Sequence, residues 1–134
     1  MIKEERKIIY IIDDDSEDKD ILIAIINQLK PCIKMLVFDN GRDFINKIAR
    51  DKYDDYPSLI ILDYNMPYLT GAEVLKKLKD QNTMSGIPKV IWSTGSDHMT
   101  REECMNNGAI NYYQKPFHYA GYFQIAEKML DYIA

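Results

Sequence analysis

The sequence predicts an open α/β fold, one sheet of five parallel strands in the order 2-1-3-4-5 with helices on both faces. Two observations predict it. Apolar runs of strand length alternate five times with longer stretches of helical period. Three of those runs, Ile8-Ile9-Tyr10-Ile11-Ile12, Leu59-Ile60-Ile61-Leu62 and Val90-Ile91-Trp92, are apolar without a break, as strands covered on both faces must be. Strand, helix, strand repeated in this way requires right-handed crossovers and parallel pairing.

The first strand is expected at Lys7 to Ile12. The helix after it opens with the acidic Ser16-Glu17-Asp18, lines up Ile21, Leu22, Ile25, Ile26 and Leu29 on one face, and is ended by Pro31. Strand 2 follows at Lys34 to Phe38, and helix 2 at about Arg42 to Arg50 with Phe44, Ile45, Ile48 and Ala49 inward. Strand 3 covers Ser58 to Leu62, and helix 3 runs from Gly71 to Asp80 with Val74, Leu75 and Leu78 inward. Strand 4 is placed at Lys89 to Ser93, and a helix of weaker pattern at Thr100 to Asn107, stopped by Gly108. Strand 5 covers Ala109 to Gln114. The last helix carries the stripe Tyr119, Tyr122, Phe123, Ala126, Met129, Leu130 and Ile133. With no linker, repeat or low-complexity segment in view, residues 1–134 read as one domain with no second domain attached.

Composition narrows the function classes. The chain is 46% apolar and 28% charged, with a formal charge of −4, and its Lys and Arg form no dense run, which argues against a nucleic-acid partner. The start, Met1 to Lys7, is mixed in charge and leads into five apolar residues, too few for a signal-peptide core or a membrane span, so the expected location is the cytoplasm. Cys32 and Cys104 lack metal-site spacing and read as buried or half-buried free thiols. His98 and His118 have no ligand partner at useful spacing and read as surface residues.

In an open parallel sheet, ligands bind at the carboxyl ends of the strands. Here those ends carry Asp13-Asp14-Asp15, Asp63-Tyr64-Asn65-Met66-Pro67, Ser93-Thr94-Gly95-Ser96 and Lys115-Pro116-Phe117. Crowded carboxylates repel one another unless a cation sits among them, and an all-oxygen set suits Mg²⁺, with Mn²⁺ able to substitute. One carboxylate can then act as nucleophile toward a phosphoryl group, with Lys115 and a hydroxyl neutralising the developing charge. Either Ser93 or Thr94 can supply that hydroxyl, since strand alternation sends them to opposite sides. Asp15 is assigned to the helix start, where acidic groups are favoured.

These residues resemble the receiver domains of two-component response regulators, including the small chemotaxis type, and the resemblance covers essentially the whole chain. It rests on the acidic cluster after strand 1, on Leu62-Asp63-Tyr64-Asn65-Met66-Pro67, on Thr70-Gly71 and on Lys115-Pro116-Phe117. It also holds in spacing, Ser93 lying 30 residues after Asp63 and Lys115 a further 22 on.

The resemblance implies a flavodoxin-like fold and a role for each matched position. Asp63 is the phosphoacceptor. Asp13 and Asp14 hold Mg²⁺ directly or through water, and Asn65 supplies a backbone carbonyl to it. Ser93 is the switch hydroxyl, Lys115 the phosphoryl-binding lysine, and Tyr112 the aromatic switch. The Lys115–Pro116 peptide bond is one that is often cis in the family. Thr94 and Trp92 are larger than the family's commonest residues near the site. The implied donor is a sensor histidine kinase or a histidine phosphotransfer protein. Output would pass to a downstream protein through the face formed by helix 4, strand 5 and helix 5, which is also a face for homodimerisation.

Such a chain takes part in its own phosphorylation and dephosphorylation without being a turnover enzyme. Two rivals share the inventory: a receiver-like interaction module that is never phosphorylated, and a Mg²⁺-dependent phosphatase with an aspartyl nucleophile. The phosphatase pattern D-x-D-x-T is not met by Asp63-Tyr64-Asn65-Met66-Pro67, and no P-loop, dinucleotide fingerprint or nucleophile elbow is present.

Overall fold

The computed structural model describes residues 7–50, 56–95 and 97–133. Residues 1–6 of the mixed-charge start, Ser96 and Ala134 lie outside them. The elements follow in the order β1 (Ile8–Ile12), α1 (Ser16–Leu29), β2 (Lys34–Phe38), α2 (Gly41–Arg50), β3 (Leu59–Asp63), α3 (Gly71–Asp80), β4 (Lys89–Ser93), α4 (His98–Asn106), β5 (Asn111–Gln114) and α5 (Tyr119–Leu130), with a closing 3₁₀ turn at Asp131–Ile133. The sheet order is β2-β1-β3-β4-β5, all pairs parallel, as the sequence predicts.

The three uninterrupted apolar runs became the three interior strands, and every residue of β1, β3 and β4 is buried. The edge strands β2 and β5 are only partly covered. Alternation along the strands divides the core in two. Tyr10, Ile12, Ile60, Leu62 and Ile91 pack with Phe44 of α2, Leu75 and Leu78 of α3 and Cys104 of α4. Ile9, Ile11, Ile61, Val90 and Trp92 pack with Leu22, Ile25 and Ile26 of α1 and Tyr122, Ala126 and Met129 of α5.

Several boundaries differ from the sequence expectation, each for a local reason. Strand 5 starts at Asn111 because the Ala109 N–H donates to Cys104 O at 3.1 Å, closing α4 instead of joining the ladder. Helix 4 starts two residues early, at His98, because the Asp97 carboxylate accepts from both the N–H and the hydroxyl of Thr100. Ala49 and Tyr119 are exposed, the first at the end of a narrow apolar face and the second in the opening turn of α5. Cys32 is exposed as well, because it lies in the turn between α1 and the edge strand β2. No helix among the described residues is long and apolar enough to cross a membrane.

Two contacts fix the rim where β3 meets α3. Thr70 and Glu73 form a reciprocal capping box at the start of α3. Gly71 then lets the helix start close against the strand end. Its N–H donates to Tyr64 O at 2.9 Å, and a Cβ there would stand 2.7 Å from the Asp63 carbonyl oxygen.

Candidate functional site

Strand β1 runs straight into the site. The Asp13 N–H continues the ladder to Phe38 O at 3.1 Å, which carries the Asp13 side chain into a fully buried position past the strand end. Its Oδ1 accepts from the Asp15 N–H at 2.8 Å, while Asp15 caps α1 by accepting from Asp18 N. Lys19, one turn into α1, is buried and donates to the Asp13 carbonyl oxygen at 3.1 Å and to Asp39 Oδ1 at 2.9 Å, bracing this loop from behind. Asp63, the last residue of β3, is 3% exposed.

Lys115 enters from the other side. Its backbone N–H donates to Ser93 O at 2.6 Å, and its ammonium ends 3.1 Å from Asp13 Oδ2, 3.1 Å from Asp18 Oδ2 and 3.5 Å from Asp63 Oδ1. The ring of Trp92 lies 4.8 Å away on the sheet side. In front is a cavity of about 450 Å³ lined by Asp14, Asp15, Ser16, Asp63, Asn65, Thr94 and Lys115. The expected Asp13, Asp14, Asp63, Asn65 and Lys115 are thus brought to one place.

Electrostatics follow from this burial. Loss of solvent, then the neighbouring Asp13 charge, pushes Asp63 up to about 8 against the pull of Lys115. Burial also raises Asp13, opposed by the Asp15 N–H and by Lys115. Burial disfavours the Lys115 ammonium, but the charges of Asp13 and Asp63 outweigh it, and the group is held above its ordinary value. Without a further cation, ionising both buried carboxylates at once is therefore unfavourable.

The donor set fits a hard divalent cation. Asp13, Asp14 and Asp63 each offer an oxygen, all within 4.8 Å of one another. Asp13 Oδ2 is buried and has no aligned hydrogen-bond donor, although it is ion-paired to Lys115. Oxygen ligands only, one of them incompletely satisfied, suit Mg²⁺ or Mn²⁺ better than any soft metal.

The hydroxyl pair separates as alternation requires. Ser93 is buried, and its Oγ accepts from the Gly95 N–H at 3.3 Å, whereas Thr94 is exposed and is the one that lines the cavity. Tyr112 is buried on the same face as Ser93, and its hydroxyl donates to Gly95 O at 2.8 Å, so both expected switch residues converge on Gly95. The Lys115–Pro116 bond is trans, not cis, the isomer that even prolyl peptides favour. His98 and His118 are exposed.

Asp18 was not expected here. The sequence reading makes it a helix-opening charge, yet with Leu22 and Ile25 it falls at four- and seven-residue steps on the buried stripe of α1, a signal that it points inward.

Comparison with known proteins places the chain in a family and matches its fold. The family model described as "Response regulator receiver domain" matches residues 9–126. A "Two-component response regulator ORR7" of Oryza sativa subsp. japonica is 29% identical over 120 residues, covering 90% of this chain and 55% of the relative. The chain thus spans about half the length of that relative. Among solved structures, the phosphorylated cyanobacterial phytochrome response regulator RcpA superposes with a TM-score of 0.86 at 21% identity, over 96% of this chain and 94% of that one. The Mn²⁺-bound form of response regulator Rcp1 gives a TM-score of 0.82 at 20% identity, over 93% and 92%.

Proposed function

The chain belongs to the response regulator receiver family, and from that premise we propose that Asp63 accepts a phosphoryl group from a phosphohistidine donor. The donor is a sensor histidine kinase or a histidine phosphotransfer protein. The observation that carries this reading is the placement of a buried Asp63 carboxylate at the mouth of an open acidic cavity, 3.5 Å from a lysine ammonium.

An Asp63 Oδ attacks phosphorus, a carboxyl-to-phosphorus bond forms, the phosphorus-to-nitrogen bond of the donor breaks, and the leaving imidazole takes up a proton. Asp13, Asp14, Asp63 and the Asn65 backbone would hold Mg²⁺, which when bound supplies neutralisation of the phosphoryl oxygens. Lys115 supplies a second, fixed positive charge beside Asp63. Thr94, as a cavity-lining hydroxyl, borders the phosphoryl path, while Ser93 and Tyr112 are joined through Gly95 to the start of α4 and form the element that reads the change. Phosphorylation biases two conformations of that element, and a downstream protein recognises one of them.

The adduct is stoichiometric, so the chain is a signalling acceptor rather than a turnover catalyst. Incubation with acetyl phosphate and Mg²⁺, followed by intact mass measurement, tests the reading. One phosphoryl group should be gained, lost again on standing, and absent in Asp63→Asn. A wild-type chain that gains nothing, an Asp63→Asn chain that gains equally, or hydrolysis of a generic phosphomonoester at many equivalents per chain would each refute it.

A further inference from the structure

Lys115 has three N–H donors, and three carboxylates surround them. Asp13 and Asp63 belong to the acidic group assigned above to the cation; Asp18 lies outside it. The Asp18 side chain is held from a second helix. Its Oδ1 accepts from the Tyr122 hydroxyl of α5 at 2.9 Å, leaving Oδ2 for the ammonium. Tyr122 is itself buried, with its ring edge-on to Trp92 at 6.2 Å between centroids. Trp92 in turn presents its ring to the Lys115 ammonium. The lysine head therefore sits in a built seat made by α1, α5 and β4.

With a divalent cation on Asp13, Asp14 and Asp63, two of the three carboxylates beside Lys115 would share their charge with the metal, and the two cations would repel each other. An ammonium 4% exposed that lost both partners would be a buried charge without compensation. The Asp18 carboxylate, outside the cation group, would keep its full charge for it. We propose that Asp18, oriented by Tyr122, is a positioning residue that keeps Lys115 beside Asp63 while the divalent cation is bound, so that both positive charges occupy the site together. This rests on the metal reading above. It also explains why a carboxylate occupies the apolar stripe of α1 and why a tyrosine of α5 reaches across to it.

The test is a Mg²⁺ titration of the full chain, followed by fluorescence of Trp92, the single tryptophan, and checked by calorimetry. Asp18→Asn should weaken Mg²⁺ binding roughly tenfold, as for other groups that act on a metal through a neighbour. Tyr122→Phe changes no charge and should weaken it about threefold, the effect of one hydrogen bond. In a Lys115→Met background, Asp18→Asn should leave the affinity nearly unchanged, because its effect passes through the lysine. A plain surface charge would weaken binding equally in both backgrounds, and a merely structural role would show in the near-ultraviolet circular dichroism of the metal-free variants.

Either of those results, or an Asp18→Asn chain that binds Mg²⁺ like the wild type, overturns the inference while leaving the metal reading intact. A wild-type chain that binds no Mg²⁺, or an Asp13→Asn chain that binds it undiminished, overturns the metal reading and this inference with it.

Discussion

Asp63 and Lys115 set a carboxyl group and an ammonium side by side, both almost wholly buried, and the balance between them has consequences that pH exposes. Asp63 holds its proton up to about 8 in the folded chain, against an ordinary 3.8. Between those values the folded state binds a proton that the unfolded state has released. Stability of the metal-free protein should therefore fall as pH rises from 4 toward 8, by up to about 1.4 kcal/mol per pH unit. Asp13, raised in the same direction, adds to the trend. Urea unfolding in chelator at pH 5, 6, 7 and 8 measures it, and saturating Mg²⁺, which binds the deprotonated carboxylates, should flatten the slope. A flat profile without metal would mean that Asp63 titrates as a solvated carboxylate.

A second residue-scale contrast lies in the thiols. Burial pushes Cys104 up to about 12, whereas Cys32 is exposed. A thiol reagent at pH 8 should label one cysteine quickly in the native chain and two after denaturation; rapid double labelling would contradict the packing of Cys104 on the inner face of α4.

At the scale of elements, the join between β3 and α3 carries the clearest expectation. Gly71→Ala would set a Cβ at 2.7 Å from the Asp63 carbonyl and 2.9 Å from Ile91 Cδ1, one contact with backbone and one with a buried side chain. The helix start must move, at a cost of about 1–3 kcal/mol, and the strand end bearing Asp63 moves with it. Mg²⁺ affinity should fall in the same variant. Gly86→Ala, with nothing within 4 Å of its Cβ, is the control and should be neutral in both measurements.

The same elements show what was legible in the sequence. Interior strands announce themselves, because burial on both faces forces continuous apolar runs, and Lys89 to Ser93 is recovered to the residue. The edge strand β2 is recovered to the residue as well, at Lys34 to Phe38, but element ends are harder. The start of β5 depended on which acceptor the Ala109 N–H finds, and the start of α4 on a cap at Asp97, neither of which leaves a periodic trace. In the site, Asp13, Asp14, Asp63 and Lys115 were readable because the topology dictates where strand ends meet. Asp18 was not, because an acidic residue in a first helical turn already has a sufficient explanation in the helix dipole.

For the whole molecule, the parallel sheet sends the loops after β1, β3, β4 and β5 to one rim, so the site draws on both cores and on four chain segments at once. A ligand that bridges them binds the folded chain and finds no counterpart in the unfolded one, so its binding free energy adds to global stability. Mg²⁺ with beryllofluoride, a phosphoryl mimic, at about a hundred times its dissociation constant should raise unfolding free energy by about 2.7 kcal/mol. At 134 residues, about 1 kcal/mol moves the melting temperature by several degrees. The shift should vanish in Asp63→Asn, whose amide offers no carboxylate to the mimic. It should persist in Tyr112→Phe, which lacks only the hydroxyl bonded to Gly95 O, because that bond belongs to the reading element and not to the ligand cavity. Thermal melts of the three proteins separate these roles. Loss of the shift in Tyr112→Phe would make the acceptor and the reading element one cooperative unit even without a partner.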